Sequence, residues 1–210
     1  GDNHTMTKLV AVAQPIVDLI VPVSPSFLES EGLEKSSYAM VSETEQKRLL
    51  AAISESSTSS SVGGSATNSI VTASNLGIKT AIIGAIGNDS HAEKLLSSLE
   101  DFSIKMITPS ELLGSTGTCL SLVTPDGERT MRTNLGVATS LRPEHLCAQS
   151  ISESDWLLLE GYLLTASEEN RAALYEAIRI AQKNNTKIAF TASAEFVIET
   201  RRQEIINELL

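Results

Sequence analysis

Two cysteines, three histidines and sixteen basic residues are all that this 210-residue chain carries of the side chains that announce disulfide frameworks, metal centres and nucleic-acid surfaces. Cys119 and Cys147 are far apart and outside any metal-ligand spacing, which excludes a disulfide scaffold and points to a reducing compartment. His4, His91 and His145 form no cluster, so no histidine-based metal site is expected. Sixteen Lys and Arg against 26 Asp and Glu leave a net charge of -10. A duplex-binding surface needs clustered cations, so nucleic acid is not an expected partner. Arg201-Arg202 stands beside Glu199 and Glu204 and reads as a solvated helix face. A few local donors would still suffice for a phosphorylated small molecule. No apolar run approaches the roughly 18 residues of a membrane span, and no signal peptide is evident. The cytoplasm is therefore the expected location, without a membrane partner. No G-x-x-x-x-G-K-[ST] phosphate loop occurs anywhere in the chain.

What is present is an ordinary globular composition, 41% hydrophobic and 20% charged, enough for one sizeable core. Residues 1–7 read as a tag remnant and start, and 8–210 as the body. Lys8 to Ala13 reads as a buried strand, followed by a Val- and Ile-rich run from Ile16 to Val23 that Asp18 interrupts. Ser42-Glu43-Thr44-Glu45 has capping-box form ahead of a helix through Leu49, Leu50 and Ile53. Ser54 to Ser61 reads as a loop. From Gly64 onward strands and helices alternate. Helices are predicted over 65–75, 90–99, 168–182 and 200–210, and strands over 79–83, 103–107, 156–159 and 187–191. This rhythm implies βαβ units and a largely parallel sheet. One segment departs from it. Thr118 to Thr124 and Glu128 to Asn134 alternate in residue class around the turn signal Pro125-Asp126-Gly127, so an antiparallel hairpin is predicted with one covered and one wet face. It is either a flap or a surface decoration.

Chemistry has four candidate seats. Gly63-Gly64-Ser65-Ala66-Thr67-Asn68 enters a helix, whose free N–H groups and positive dipole end suit a polyhydroxylated or anionic ligand; a plain loop-to-helix entry would look the same. Asp18 is a lone carboxylate in an apolar run, either a strand-end group for sugar hydroxyls or a turn residue. Glu160 ends the apolar strand Trp156 to Leu159 and either faces the sheet's carboxyl edge or is a solvated loop acid. Gly84-Ala85-Ile86-Gly87-Asn88-Asp89 lacks the third glycine of a dinucleotide fingerprint, which leaves an oxidoreductase reading weakest; Asp89 is expected to cap the next helix.

In order along the chain, Val17-Asp18, Gly63-Gly64-Ser65-Ala66-Thr67-Asn68, Leu76-Gly77 with Gly84-x-x-Gly87-x-Asp89, Thr116-Gly117-Thr118 with Thr124-Pro125-Asp126-Gly127-Glu128-Arg129-Thr130-Met131, and Leu159-Glu160-Gly161-Tyr162 resemble the ribokinase-like (PfkB) family of carbohydrate and nucleoside kinases. The last two stretches look most like its adenosine-kinase-like and general sugar-kinase branch. The resemblance covers about Lys8 to Leu210. It implies a three-layer α/β/α sandwich around a mainly parallel sheet, with a small β lid built from about 17–23 and 117–134. It also implies ATP and Mg²⁺ as cofactors, a sugar or nucleoside as the small-molecule partner, and often a homodimer contact through the lid. Asp18 would hold substrate hydroxyls, Gly63, Gly64 and Asn68 would line the same pocket, and Glu160 would face it. The sequence departs from the family where Ala13-Gln14 replaces a usual Gly-Asn and Ala92 a usual glycine. The family's Asn-x-x-Glu metal motif, nucleotide-binding glycines and Gly-Ala-Gly-Asp motif with its catalytic base do not occur in the 210 residues. The expectation is thus the substrate-holding, N-terminal part of a kinase fold, whose C-terminal part is missing. The alternative is a non-catalytic polyol- or nucleoside-binding protein derived from one.

Overall fold

The computed structural model describes residues 8–53 and 58–210. The first half contains β1 (Lys8–Val12), β2 (Ile16–Pro22), α1 (Pro25–Ser30), β3 (Tyr38–Met40), α2 (Glu43–Ala52), β4 (Ser59–Gly63), α3 (Ser65–Asn75), β5 (Lys79–Ile83), α4 (Ser90–Asp101) and β6 (Ile104–Ile107). The hairpin β7 (Gly117–Val123) and β8 (Arg129–Asn134) leads through a 3-10 turn, Gly136–Ser140, into α5 (Ala148–Ser152), β9 (Trp156–Glu160), α6 (Leu163–Ala166), α7 (Glu168–Lys183), β10 (Lys187–Thr191) and α8 (Glu195–Glu204).

The main sheet has the order β10-β9-β1-β5-β6 and is parallel throughout. Its strands are four or five residues long and largely apolar, and the inner ones, β1, β5 and β9, are mostly buried on both faces, as parallel sheets require. Val10 and Val12 of β1 point into one core with Leu157, Leu159, Leu174 and Val197, under α7 and α8. Ala11 and Ala13 point the other way, into a core with Ile70, Ile82, Leu95 and Leu99, under α3 and α4. The chain winds outward from β1 to β5 and β6, then returns to the opposite side of β1 to place β9 and β10. The gap between the carboxyl ends of β1 and β9 is therefore a topological switch point, where ligands of open α/β sheets sit.

A second sheet, order β3-β8-β7-β2-β4, stands beside the first. Its apolar face carries Val17, Leu19, Val21, Leu120 and Leu122, and packs with Leu28 of α1 and Leu49 of α2 into the same core as β5 and α4. Asp18, Cys119 and Thr133 form one row on the other face, by the register of β2, β7 and β8.

The local signals explain most boundaries. Ser42 caps α2 by accepting from the Glu45 N–H at 3.1 Å, although Glu45 spends its carboxylate on Arg48 rather than on the reciprocal bond of a capping box. The α3 end is closed by Gly77 N–H to Ser74 and Ile78 N–H to Ala73 carbonyls, as a C-cap glycine predicts. Four expectations need correction. Ser59 to Ser61, read as loop, pair with Ile20, Leu19 and Asp18 in β4, because β2 offers them an open antiparallel edge; 54–57 lie outside the described residues. Strand β7 has no wet face: Gly117 to Leu122 are all buried, since it is the middle strand of five and small Cys119 and Ser121 are overlaid by neighbours. The strand expected from Ser103 begins at Ile104, because Ser103 adopts φ +58°. The last helix starts at Glu195, kinks at Arg201 and ends in a π turn, Ile205–Leu209.

Candidate functional site at the switch point

Asp18 lies mid-strand in β2, opposite Ser61 of β4 and Cys119 of β7. Its carboxylate is half-buried and rests against the Cα of Gly63. A Cβ there would come within 2.5 Å of Asp18 Oδ1 and 2.6 Å of Oδ2, so only glycine lets the two approach this closely. Burial pushes the Asp18 carboxyl above the usual range, and the Arg129 guanidinium partly opposes it. No hydrogen bond from the described residues compensates that burial, a costly state unless something else meets the carboxylate.

Gly64 precedes α3 with φ +102°, the left-handed region that glycine supplies without strain. Asn68, one turn into α3, is exposed and keeps its N–H on Gly64. The α3 N-terminus has no side-chain cap of its own. Glu160 fills that role from β9. Its Oε1 accepts from Ser65 Oγ at 3.1 Å and from the Ala66 N–H at 3.2 Å, and its Oε2 accepts from the Gln14 N–H at 2.6 Å. Burial raises the Glu160 carboxyl, opposed by those donors. With 1% of its surface exposed, Glu160 is neither a solvated loop acid nor a group open to the cleft. The anion seat that the sequence offers at the α3 N-terminus is thus occupied by the protein's own carboxylate, across the switch point.

The structure brings Asp18, Gly63 and Gly64 together and sets Glu160 behind them. Sequence reasoning missed the aromatic groups beside this site. Tyr162, just past β9, lies near Glu160, Tyr38 and Cys119, and its ring meets Phe196 at 5.8 Å between centroids. Tyr38 and Met40 of β3 lie half exposed on the face that carries Asp18, with the Tyr38 hydroxyl 3.3 Å from the Met40 sulfur. The Leu159-Glu160-Gly161-Tyr162 stretch was the signal that could have found Tyr162; nothing local marks a three-residue strand. A hollow of about 540 Å³ lies elsewhere, between α7 and the segment 203–208. There Glu204 is already held by Arg171 and Tyr175.

Asp89 caps α4 as expected, with Oδ1 accepting from the Ala92 N–H at 2.9 Å. It also accepts from both the N–H and the hydroxyl of Thr116, at 2.8 and 2.7 Å, which anchors the segment entering β7. Burial alone would raise the Asp89 carboxyl, but the Thr116 and Ala92 donors outweigh it and hold it below the ordinary range. A depressed carboxylate gives stability that is present above its unfolded pKa and is lost as pH falls through the folded one. Asp89→Asn should therefore be less stable than the parent near neutrality by about 1 kcal/mol, after allowance for solvent screening. That gap should close as the medium is acidified below the ordinary aspartate range. Denaturant titrations at both pH values check this; a gap that is constant with pH would refute it.

The described residues offer Mg²⁺ no carboxylate cluster and ATP no free anion seat at the α3 N-terminus. Among the described residues no three His, Cys, Asp or Glu side chains cluster as a metal site, and the helix N-terminus at the switch point is taken by Glu160. No phosphoryl-transfer step follows from these residues.

Comparison with known proteins agrees with the fold and the order of motifs. The profile described as pfkB family carbohydrate kinase matches residues 35–201. Adenosine kinase of Schizosaccharomyces pombe is 26% identical, aligned over 94% of this chain and 58% of its own length. A 5-dehydro-2-deoxygluconokinase of Listeria monocytogenes is 31% identical, over 61% of this chain and 41% of its own. The chain thus spans about half the length of these curated relatives. The crystal structure of adenosine kinase from Sinorhizobium meliloti superposes with a TM-score of 0.79 at 26% identity, over 96% of this chain and 61% of that one. The architecture is the ribokinase-like three-layer sandwich with a second sheet, and the chain belongs to the pfkB family of carbohydrate kinases.

Proposed function

We propose that this chain is the substrate-holding part of a kinase that transfers a phosphoryl group from ATP, with Mg²⁺, to a hydroxyl of a nucleoside or sugar. One observation carries the reading: a half-buried carboxylate, Asp18, with no protein donor among the described residues, held against Gly63 beside the switch point. Hydroxyl groups of a polyol would supply the missing donors. Gly64 and Asn68 line the same cleft, and the second sheet acts as the lid, its Asp18 face turned toward the ligand. Lid closure would exclude water from the transfer. Tyr38, Met40 and Tyr162 give the cleft an apolar, aromatic side, which favours a nucleoside over a bare sugar because a base has a flat face to bury. A homodimer contact through the lid would have to use the strand edges, since α1 and α2 already cover its apolar face.

Phosphoryl transfer depends on positioning and on stabilising the charge of the transferred group. The 210 residues hold neither the Gly-Ala-Gly-Asp motif nor a metal cluster among the described residues. The purified chain is therefore expected to bind adenosine in calorimetric titration, yet to release no ADP from ATP in response to it. The same reading expects substrate-dependent ADP release from a longer gene product that supplies the missing motif. Adenosine-dependent ADP release by the 210 residues at enzymatic rates would sink the assignment of this part as holding only. Absence of binding by adenosine, ribose and hexoses alike would sink the assignment of the cleft.

A further inference from the structure

The chain passes between the two sheets four times, and one buried polar network ties three of the crossings. Gln14 lies on the link from β1 to β2. Its N–H goes to Glu160 at 2.6 Å and its side-chain Nε2 to Asn170 Oδ1 at 2.7 Å. Asn170, on α7, gives its Nδ2 to the carbonyls of Ala138 and Leu141, both at 3.1 Å, in the segment leaving β8. Glu160 turns its second oxygen to Ser65 and Ala66, in the first turn of α3, where the chain has just left β4. Gln14, Glu160 and Asn170 are 4%, 1% and 0% exposed. The fourth crossing, into β7, is the one that Asp89 holds through Thr116.

Buried polar groups are costly when unsatisfied and act as a unit when complete. Here every contact joins a side chain seated on the main body, Glu160 on β9 or Asn170 on α7, to a segment that enters or leaves the second sheet. The departure Ala13-Gln14 from the family pattern gains a physical role: Gln14 is long enough to reach Asn170, 156 residues away. We infer that Glu160, Gln14 and Asn170 form a junction clamp. They are positioning residues that fix the second sheet, and with it Asp18, over the strand ends, and none of them touches the ligand. The link to ligand placement rests on the proposed role of Asp18; the clamp itself does not.

Two experiments on the intact chain separate these. Amide hydrogen exchange is followed in Gln14→Met, Asn170→Leu, the double variant and the milder Gln14→Asn. Exchange in β2, β7, β8 and the first turn of α3 should rise about tenfold, the size of one lost buried hydrogen bond. Exchange in β5 and α4 should stay at the parent rate, and the double variant should be no faster than the worse single one, because the network is one unit. Equal acceleration in β5 would mean a plain loss of global stability, and no acceleration anywhere would mean no clamp; either result overturns the proposal. In the second experiment Glu160→Gln, which turns an NH₂ group toward the Gln14 N–H, is titrated with adenosine and its 2′-, 3′- and 5′-deoxy analogues. Affinity should fall by one common factor, about tenfold, across the series. A loss that disappears for a single deoxy analogue would identify Glu160 as the contact to that hydroxyl and overturn the positioning role. If the parent binds none of the four, the nucleoside reading of the cleft fails, while the exchange pattern still decides the clamp.

Discussion

Asp18→Ala is expected to lower affinity for adenosine by about 100-fold or more while leaving the fold as stable as the parent or slightly more so. The two halves of that outcome have separate causes. A carboxylate that accepts two hydroxyl groups makes charge-assisted bonds worth roughly 1.5–3 kcal/mol each, so losing both removes about 3 kcal/mol or more, two decades in Kd. Stability moves the other way, because the native state holds this carboxyl half-buried and raised, with Arg129 only partly offsetting burial. A group whose charged form is disfavoured in the folded state lowers stability at neutral pH, and alanine removes that penalty. Calorimetric titration and denaturant unfolding measure the two effects. Unchanged affinity would take Asp18 out of the site; a large loss of stability would make it a structural residue.

Gly63→Ala is the second variant with a large expected effect, and it tests geometry rather than charge. The new methyl would stand 2.5–2.6 Å from the Asp18 carboxylate, well inside contact distance. Gly63 is a strand residue without a positive φ, so its backbone accepts alanine. The atoms in the way are the end of one side chain, which can swing aside at small energetic expense. The expected result is a protein that folds with nearly parental stability but binds adenosine as poorly as Asp18→Ala, because its carboxylate is displaced. The double variant should bind no worse than either single one, since both remove the same contact. Additive losses would show that Gly63 acts through something other than Asp18.

These two positions show how far local signals reach. Gly63-Gly64 was legible as a loop built for close approach, and Asp18 as an acid that an apolar run must account for. That the glycine makes room for this acid was not legible, because the two meet only when β4 pairs with β2. Glu160 illustrates the opposite outcome. Its place at the end of an apolar strand marked it for the carboxyl edge of the sheet, which is correct. Its direction was decided by competition: the uncapped α3 N-terminus and the Gln14 N–H lie within hydrogen-bond reach, so the carboxylate satisfies them rather than opening into the cleft.

By itself the sequence determined the parallel sheet, the hairpin and most helix ends. Uniformly apolar stretches such as 9–13 can be buried only on both faces, Pro125-Asp126-Gly127 sets a turn, and Ser42 and Asp89 each cap a helix by a bond spanning three residues. All of these are decided within a few residues. It also carried the order of motifs by which the family is recognised. Only the tertiary structure decided that the serine-rich segment completes a strand, that β7 is covered on both faces, and that Glu160, Gln14 and Asn170 meet. Each of those depends on partners brought together from distant parts of the chain, and a polar group selects its partner only after the backbone has placed the alternatives around it. The departure at Ala13-Gln14, visible from the start, became interpretable only when Asn170 was found at the far end of its side chain.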